Sequence, residues 1–409
     1  MTFFIAALPL FLIIFIDGMG LGLIFPLVNS LIVDPATHFL AAGMSESARS
    51  FLYGLIIGIF MLCWFFGAAM LGDLSDSIGR KKALMICIIG SFIGYCLASI
   101  AVMLKSIALL IAGRVIAGFT SGSQPIAQAA IVDMSTKKTK ARNIGFVLMS
   151  LSIGFVVGPI LGGILSDSRV MSWFTFSTPF TFVAILSFLN ALLLKFFFKE
   201  TFIKKSKISI KYFHAIRIFI SAFQHPHLDF LSLIFLIFMV GWSNYYSFGT
   251  YFVFKRYGFD PLHTTLFMAC LGVGFALGAS LVVQLFTRWL SLKKTIITCL
   301  VLSALSTLVM VLTHEPMYVW ITVIPTATFA LTAYSASLAL FSNQVDKNSQ
   351  GWVMGITGAI MALSFGIIGL LGGVLLHQSE NIPMVLSVCG LLLAAILMMF
   401  YYPKHEVIS

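Results

Sequence analysis

Twelve long runs of apolar residues are the feature that most constrains how this 409-residue chain can fold. A helix needs roughly 20 apolar residues to cross the hydrocarbon core of a bilayer. With 60% hydrophobic and only 10% charged residues, the chain is excluded from the class of ordinary soluble domains. The sequence therefore predicts an all-α integral membrane protein with spans at about 3–32, 50–72, 83–104, 107–132, 143–166, 178–198, 228–254, 264–286, 295–313, 317–342, 352–376 and 383–402.

The distribution of lysine and arginine predicts how the spans are oriented. We interpret the first run as a retained helix, because it lacks a basic leading segment and is longer than the core of a signal peptide. If the N-terminus is inside, nineteen of the 25 Lys and Arg residues fall on the cytoplasmic side, five fall outside and one lies within a span. The positive-inside rule then places both termini in the cytoplasm. The net charge of +11 suits anionic lipid headgroups, so no nucleic-acid partner is expected.

The longest polar stretch divides the spans six and six. Its middle is basic and amphipathic, which favours a position along the inner membrane surface. We predict an N-terminal six-helix bundle at 1–198, a basic cytoplasmic linker at 199–227 and a C-terminal six-helix bundle at 228–409. All six cysteines fall within spans and form no CxxC pair, so we favour packing over redox chemistry or metal ligation for them.

The fifth run contains a demanding pattern of small residues, GFVLMSLSIGFVVGPILGG, with no charged side chain. Its fixed positions are Gly145, Gly154, Gly158, Pro159, Gly162 and Gly163. Glycines at this spacing form a smooth face on which another helix can lie closely in lipid, and the proline bends the helix. A shift of 210 residues places Gly145 on Gly355 and the Gly162–Gly163 pair on Gly372–Gly373. Such a degenerate copy is expected for two related halves around a central site.

Glycines, acids and bases are concentrated in the segment after the second run, GDLSDSIGRKK at residues 72–82. Gly72 is expected to allow close helix approach, and Gly79 is expected to allow a turn. The Asp76 carboxylate and the planar guanidinium of Arg80 are suited to ion pairing. A plain turn that obeys the positive-inside rule is the alternative interpretation.

Two ionisable side chains, Asp17 and Arg114, lie deep within predicted spans. Such residues are costly in lipid, at least roughly 2.5 kcal/mol for arginine, unless they face a cavity or a partner. Asp17 is the only acid at such depth, which makes it a candidate for reversible protonation. The three glycines that follow it and Pro26 are expected to loosen and kink its helix. The alternatives are that Arg114 snorkels or ties helices together, or that Arg114 and Asp17 form a permanent structural ion pair.

Together, these segments resemble the tetracycline exporter branch of the twelve-helix drug:proton antiporters, in the major facilitator superfamily. The spacing G-x8-G-x3-G-P-x2-G-G of the fifth run resembles the antiporter motif at every defined position, and residues 72–82 resemble the signature loop. The segment RVIAGFTSG at 114–122 is similar to the family's fourth-helix motif. Ser77 departs from the family's pattern, as do Thr120 and Ser121, where smaller residues are usual.

The resemblance is specific over about residues 10–165 and faint in the second half. It implies two pseudo-symmetric six-helix bundles that work by alternating access and export a small organic molecule, a drug-like compound or a metabolite, in exchange for protons. We therefore expect that Asp17 carries the proton, that Arg114 tunes it, and that the fifth-run glycines form a tight, low-leak interface. The implied cytoplasmic gate comprises Gly72, Asp76, Gly79, Arg80 and Asp133.

Aromatic residues with polar groups are concentrated in the seventh run, GWSNYYSFGTY at 241–251. Aromatic faces with hydroxyl and amide groups suit an amphipathic organic ligand, although Trp and Tyr also collect at membrane interfaces. The candidate substrate cavity comprises Phe25, Gln124, Gln128, Trp242, Asn244, Tyr245, Tyr246 and Tyr334. The two glutamines and Tyr334 could instead only bridge helices.

Other chemistry finds no support in the sequence. There is no Gly-rich loop with Lys-Ser/Thr for ATP, no His/Cys cluster with metal-ligand spacing and no Ser-His-Asp set. We therefore expect no catalytic residue, no cofactor and no metal. The expected partners are a small organic substrate, protons and the lipid bilayer, with the chain acting as a monomer in the bacterial inner membrane. The alternatives are a proton-coupled importer or exporter of a siderophore or nutrient with the same fold and, more remotely, a membrane-embedded enzyme or receptor.

Overall fold

The computed structural model describes residues 2–41, 43–136, 139–202, 213–226, 228–345 and 349–402. Over these ranges the chain is helical and contains no β-strand. Twelve helical segments within them are long and apolar enough to cross a bilayer. The predicted all-α membrane fold with twelve spans is therefore confirmed.

The first six spans are built from seven helices. Their bounds are α1 Thr2–Val28, α2 Glu46–Ile78, α3 Arg80–Met103, α4 Ile107–Thr120, α5 Ser123–Asp133, α6 Lys140–Ser166 and α7 Thr178–Phe197. The fourth span is interrupted between α4 and α5, where the Ser121 hydroxyl bonds the Ala117 carbonyl at 2.8 Å. Hydroxyls that compete for helix carbonyls in this way favour a break in the helix. One of the residues that depart from the family's motif thus lies at the interruption.

The remaining helices follow a short amphipathic helix in the polar stretch. Their bounds are α8 His214–Gln224, α9 Asp229–Tyr257, α10 Pro261–Leu277, α11 Val283–Trp289, α12 Leu292–Leu312, α13 Pro316–Asn343, α14 Gln350–Leu375 and α15 Asn381–Phe400. A π-helical turn at Gly278–Val282 joins α10 to α11 within one span. A similar turn at Asn29–Val33 extends α1.

The second helix is longer than the sequence predicts. α2 has 33 residues and continues through Ile78, so most of the segment expected to be a loop is helical. The polar end of α2 can remain helical outside the bilayer, because residues 73–78 contain neither glycine nor proline. At Gly79 the backbone has a φ of +100°, a conformation that glycine adopts at little cost. The predicted turn at Gly79 is confirmed, and the predicted loop over residues 72–78 is wrong.

Two compact units divide the chain, Met1–Ala215 and Ile216–Ser409. In the first unit α6 packs along α1, and α3 packs against α4 and α7. In the second unit α14 and α15 pack against α9, and α12 packs against α13. The predicted division into two bundles and a cytoplasmic linker stays a prediction, and residues 203–212 and 227 of that linker lie outside the described residues.

Candidate functional site

The carboxyl group of Asp17 is held from the break in the fourth span. Because α5 begins at Ser123, the hydroxyl of this serine faces α1 and donates a hydrogen bond to the Asp17 carboxyl. Asp17 also borders a cavity of about 10 Å³ whose other lining residues lie on α1, α3, α5 and α7. We call this space the Asp17 cavity. The acid predicted at mid-membrane therefore has one polar partner and a small space beside it.

The glycine face of α6 lies on the backbone turn of α1 that carries Asp17. A Cβ at Gly154 would overlap the Phe15 carbonyl oxygen and lie 2.8 Å from the Met19 amide nitrogen. A Cβ at Gly158 would overlap the Met19 carbonyl oxygen. Side chains at these positions would therefore separate the two helices just above and below the acid.

The glycines of α1 complete this contact from the other side. A Cβ at Gly18 would lie 2.6 Å from the carbonyl oxygen of Leu151, and one at Gly22 would lie 2.7 Å from Cδ of Pro159. The sequence interpretation, that the alternate glycines loosen the helix, misses this role. They are sites of close approach, because both helices have glycine where their backbones meet.

The two ends of the antiporter-type pattern behave differently. A Cβ at Gly145 would meet no heavy atom within 4 Å, whereas one at Gly162 would lie 3.2 Å from Cβ of Leu23. Gly163 is half-buried. The tight part of the interface is therefore centred on Gly154 and Gly158, and the predicted contribution of Gly145 to it is not seen among the described residues.

Arg114 is buried without an acidic partner in the described part of the chain. It is 2% exposed, and its guanidinium carbon lies 4.0 Å from the centroid of the Phe60 ring. Its Nε and Nη1 find no hydrogen-bond acceptor among the described residues, and no ion pair joins it to Asp17 there. Tyr95, a residue that the sequence did not single out, lies within electrostatic reach of both charged groups.

Three of the predicted gate residues lie together at one end of the first unit. The Arg80 guanidinium pairs with the Asp76 carboxylate at 2.7 Å and lies 3.6 Å from a carboxylate oxygen of Asp133. It also donates to the Ser75 hydroxyl at 2.5 Å. Gly72 does not provide the expected close approach, because a Cβ there would meet no heavy atom within 4 Å.

Two further side chains belong to this region and were missed by the sequence analysis. The Glu200 carboxylate accepts hydrogen bonds from the backbone amides of Arg80 at 2.9 Å and Lys81 at 3.1 Å, and so caps α3. The His214 ring lies 2.6 Å from the Asp73 carboxylate. Both follow the sixth span, more than 100 residues along the chain from their partners, and no local pattern connects them.

Aromatic side chains of the seventh span form a buried cluster in the second unit. The Trp242 ring stacks on Tyr245 with centroids 5.4 Å apart, and Tyr246 stacks on Phe275 at 5.9 Å. The amide nitrogen of Asn244 donates to its own helix, and its oxygen has no hydrogen-bond partner among the described residues. Burial of these side chains argues against an interfacial belt, and their place in a substrate cavity stays a prediction.

The other predicted cavity residues are distributed over both units. In the first unit Phe25 is fully buried, and Gln124 and Gln128 are half-buried on one face of α5, four residues apart. In the second unit the Tyr334 ring lies 5.9 Å from that of Phe235. Each unit therefore contributes its own group of candidate residues, aromatic in the second and mainly amide in the first.

Known proteins similar to this chain are transporters and resistance proteins. The sequence model of the Major Facilitator Superfamily matches residues 10–331 and, in a second match, residues 231–408. The tetracycline resistance protein of class C from Escherichia coli is 26% identical over 350 residues, covering 85% of this chain and 84% of that protein. The class H protein from Pasteurella multocida is 28% identical over 378 residues, covering 87% of each.

A solved structure with the same architecture is that of a D-xylose-proton symporter. It superposes with a TM-score of 0.78 over 99% of both chains, at 17% sequence identity. At this identity the similarity concerns the fold alone. It confirms the fold.

Proposed function

This chain belongs to the Major Facilitator Superfamily, and we propose that it exports a small organic compound in exchange for protons by alternating access. The family and the fold are those of multi-pass membrane transporters. The relatives named as tetracycline resistance proteins support export of a drug-like compound.

One observation carries the proposal: the glycine face of the antiporter-type pattern lies on the turn of α1 that holds Asp17. Gly154 and Gly158 contact the backbone at Phe15 and Met19, on either side of the acid. Two helices in backbone contact leave little space for a water-filled path between them. A movement of the helices can then expose a proton carrier in this position to water on one side, without opening a continuous path through which protons leak. We assign Asp17 as the proton carrier and the α1–α6 contact as its seal.

The Asp17→Asn variant tests this assignment, because asparagine keeps the shape of the side chain and cannot release a proton. We expect the variant to lose tetracycline flux driven by a proton gradient in proteoliposomes. Asp167→Asn is the matched control. That acid lies outside the spans, and hydrogen bonds from Arg169 hold the pKa of its carboxyl below the usual range, so it stays ionised. We expect this control to transport normally.

A variant at Asp17 that keeps its gradient-driven flux would overturn the assignment. Tetracycline is chosen as the probe because of the relatives. If the unchanged protein does not transport it, other antibiotics, siderophores and metabolites are screened in the same vesicles. The variant is then compared with the unchanged protein on the compound that is transported.

The direction of transport is tested on the purified protein. Proton-coupled uptake has the same fold, since the D-xylose-proton symporter superposes on this chain. Antiport predicts that adding substrate to the protein in weakly buffered solution releases protons, which a pH indicator detects, and that Asp17→Asn removes this signal. Joint binding of substrate and protons would instead favour the importer.

The remaining assignments complete the proposal. We assign Arg114 to tune Asp17 through Tyr95, and the cluster of Asp76, Arg80 and Asp133 to the cytoplasmic gate. The expected partners are a small organic substrate, protons and lipid, and the chain is expected to act as a monomer. The membrane is the bacterial inner membrane, with both termini in the cytoplasm, a placement supported by the distribution of basic residues.

The substrate-binding residues are assigned to each unit separately. In the second unit the stacked Trp242 and Tyr245 rings, the Tyr246 ring tilted against Trp242 and the unpaired amide oxygen of Asn244 suit an organic molecule with polar groups. In the first unit Gln124 and Gln128 share a face of α5 and offer amide groups, with Phe25 on α1. The assignment of Tyr334 rests on its ring contact in the second unit.

A further inference from the structure

The short helix α8 has an apolar face that no described residue covers. Ile216 is 36% and Ile220 44% exposed, and a spacing of four residues places them on one face of the helix. Phe213, one turn earlier and directly before the helix, is 71% exposed. With 11 residues α8 is too short to cross a bilayer, so contact with the lipid tails around a span does not explain this face.

The opposite face of α8 packs on the beginning of α14. Ala222 is fully buried, and a Cβ at Gly355 would lie 4.0 Å from Cγ2 of Ile218. The indole nitrogen of Trp352 donates a hydrogen bond to the Ser221 hydroxyl at 3.2 Å. One side of α8 is therefore fixed to α14, while the side that carries Ile216 and Ile220 points away from the protein.

The contact with α14 places α8 at the level of the lipid headgroups. The 26 residues of α14 span about 39 Å, whereas the hydrocarbon core is about 30 Å thick and the bilayer with its headgroup layers about 40–45 Å. Each end of a centred α14 therefore reaches into a headgroup layer. Trp352 is the third residue of α14, and tryptophan is enriched at this boundary.

The chain around α8 is basic and has no compensating acid. Arg217 follows Ile216 directly and is exposed, so its guanidinium borders the apolar face. Residues 203–228 contain no Asp or Glu, and their basic residues are Lys204, Lys205, Lys207, Lys211 and Arg217. The four lysines lie outside the described residues. An apolar helix face beside basic residues is typical of a helix that lies in the interface of a membrane with anionic lipids.

We propose that α8 docks on the bilayer through Phe213, Ile216 and Ile220, with Arg217 binding the phosphate of an anionic phospholipid. In the predicted orientation this is the cytoplasmic leaflet. The sequence favours an interfacial position for the whole polar stretch, and the structure adds which face meets lipid and which face holds α14. The docked helix anchors the beginning of α14 to the membrane surface. This contact involves neither the proton carrier nor the substrate and so goes beyond the proposed export.

A spin label at Ile220 tests this proposal in the full chain. The Ile220→Cys variant is labelled with a nitroxide and placed in nanodiscs of phosphatidylcholine and phosphatidylglycerol, and the unchanged protein labelled in parallel gives the background of the native cysteines. Power saturation in electron paramagnetic resonance compares collisions with oxygen, which is concentrated in lipid, and with a neutral nickel chelate, which stays in water. We expect high accessibility to oxygen and low accessibility to nickel.

Two matched variants control for position and for charge. Ala36 is exposed in the segment between α1 and α2, and a label at Ala36→Cys should be accessible to nickel. In a series of nanodiscs with rising phosphatidylglycerol content, Arg217→Gln added to Ile220→Cys should shift the change from nickel to oxygen accessibility to a higher content. Arg288→Gln removes an exposed basic residue at the end of α11 and should cause no shift.

Each alternative occupant of the face gives a different result. A label at Ile220 that is as accessible to nickel as the label at Ala36 would mean that α8 faces water, and would overturn the proposal. Low accessibility to both reagents would mean that protein covers the face, either another segment or a second copy of the chain, and would also overturn it. A profile independent of phosphatidylglycerol would overturn the anionic-lipid contact. All three results leave the proposed export standing, since none depends on transport.

Discussion

Asp17 and Arg114, the two charged side chains deep in the first unit, are stabilised by different means. Asp17 accepts a hydrogen bond from Ser123, whereas Arg114 lies over the Phe60 ring. A cation against an aromatic face is worth up to about 2 kcal/mol when desolvated, which offsets part of the cost of a charge in lipid. The permanent ion pair that the sequence left open is therefore not needed to explain either residue.

A carboxylate distant in sequence caps the third helix, and its removal should lower stability. In Glu200→Ala the backbone amides of Arg80 and Lys81 lose their acceptor. Loss of a helix N-cap costs about 1 kcal/mol, so we expect a lower midpoint of thermal unfolding for the protein purified in detergent.

Lys199→Ala is the control for this change, because it alters the exposed neighbour and keeps the cap. Its midpoint should stay within error of that of the unchanged protein. Equal midpoints for both variants would mean that water replaces the carboxylate at the start of α3.

Residues within a local pattern were predictable from the sequence, and residues that meet only through folding were not. Asp76 and Arg80 are four residues apart in sequence across the break at Gly79, and Arg80 also lies near Asp133, so these three candidate gate residues come together. Ser187 and Asn190 border the same cavity as Asp17, yet they are about 170 residues away and belong to another helix. Serine and asparagine occur in many membrane spans, and a hydropathy pattern does not indicate which residues they contact.

The contact between α1 and α6 shows how two helices can meet closely in lipid. Lipid tails are as apolar as leucine, so helix association there depends on van der Waals packing. The small residues lie on both surfaces, Gly18 and Gly22 on one helix and Gly154 and Gly158 on the other. The sequence predicted the packing role of Gly154 and Gly158 only, because Gly18 and Gly22 were interpreted as sites of helix flexibility.

Alanine at two positions of the same motif should have opposite effects. In Gly158→Ala the new Cβ would overlap the carbonyl of Met19. Because this carbonyl belongs to the backbone of a helix, it cannot relieve the overlap by changing rotamer as a side chain can. Overpacking of this kind costs about 1–3 kcal/mol. We therefore expect lower thermal stability and a faster passive proton leak, measured with a pH indicator inside proteoliposomes.

Gly145→Ala is the matched control, since its Cβ would meet nothing. Alanine in a helix is favoured over glycine by about 0.5–1 kcal/mol, so this variant should be as stable as the unchanged protein or slightly more stable, with no added leak. A leak of equal size in both variants would contradict the sealing role of the glycine face.

The second half of the chain repeats the element arrangement without repeating its chemistry. α14 packs on α9 as α6 packs on α1. A Cβ at Gly372 would overlap the Phe248 ring, whereas Gly162 faces Leu23. The offset of 210 residues in the sequence predicted the related helices. The offset could not predict that Gly372 accommodates the aromatic side chain of Phe248, because Phe248 lies outside the repeated motif.

At the scale of the whole molecule, the two units supply different chemistry. Asp17 and Arg114, which lie deep within spans, both belong to the first unit, and the second unit offers stacked aromatic rings in its described spans. Export driven by a proton gradient needs a proton site and an organic-ligand surface. The distribution of residues supports a division in which the first unit handles the proton and the second provides most of the apolar contact with the substrate.

The orientation of the molecule can be tested with cysteines introduced at two exposed positions. Ser168 follows α6 and Lys199 follows α7, so a single membrane crossing separates them. The positive-inside rule places Lys199 in the cytoplasm and Ser168 outside. A membrane-impermeant maleimide should label Ser168→Cys in intact cells, and Lys199→Cys only after permeabilisation. The unchanged protein, whose cysteines lie within the helices, gives the background. The reverse labelling would place the predicted gate on the outer side of the membrane and overturn the predicted orientation.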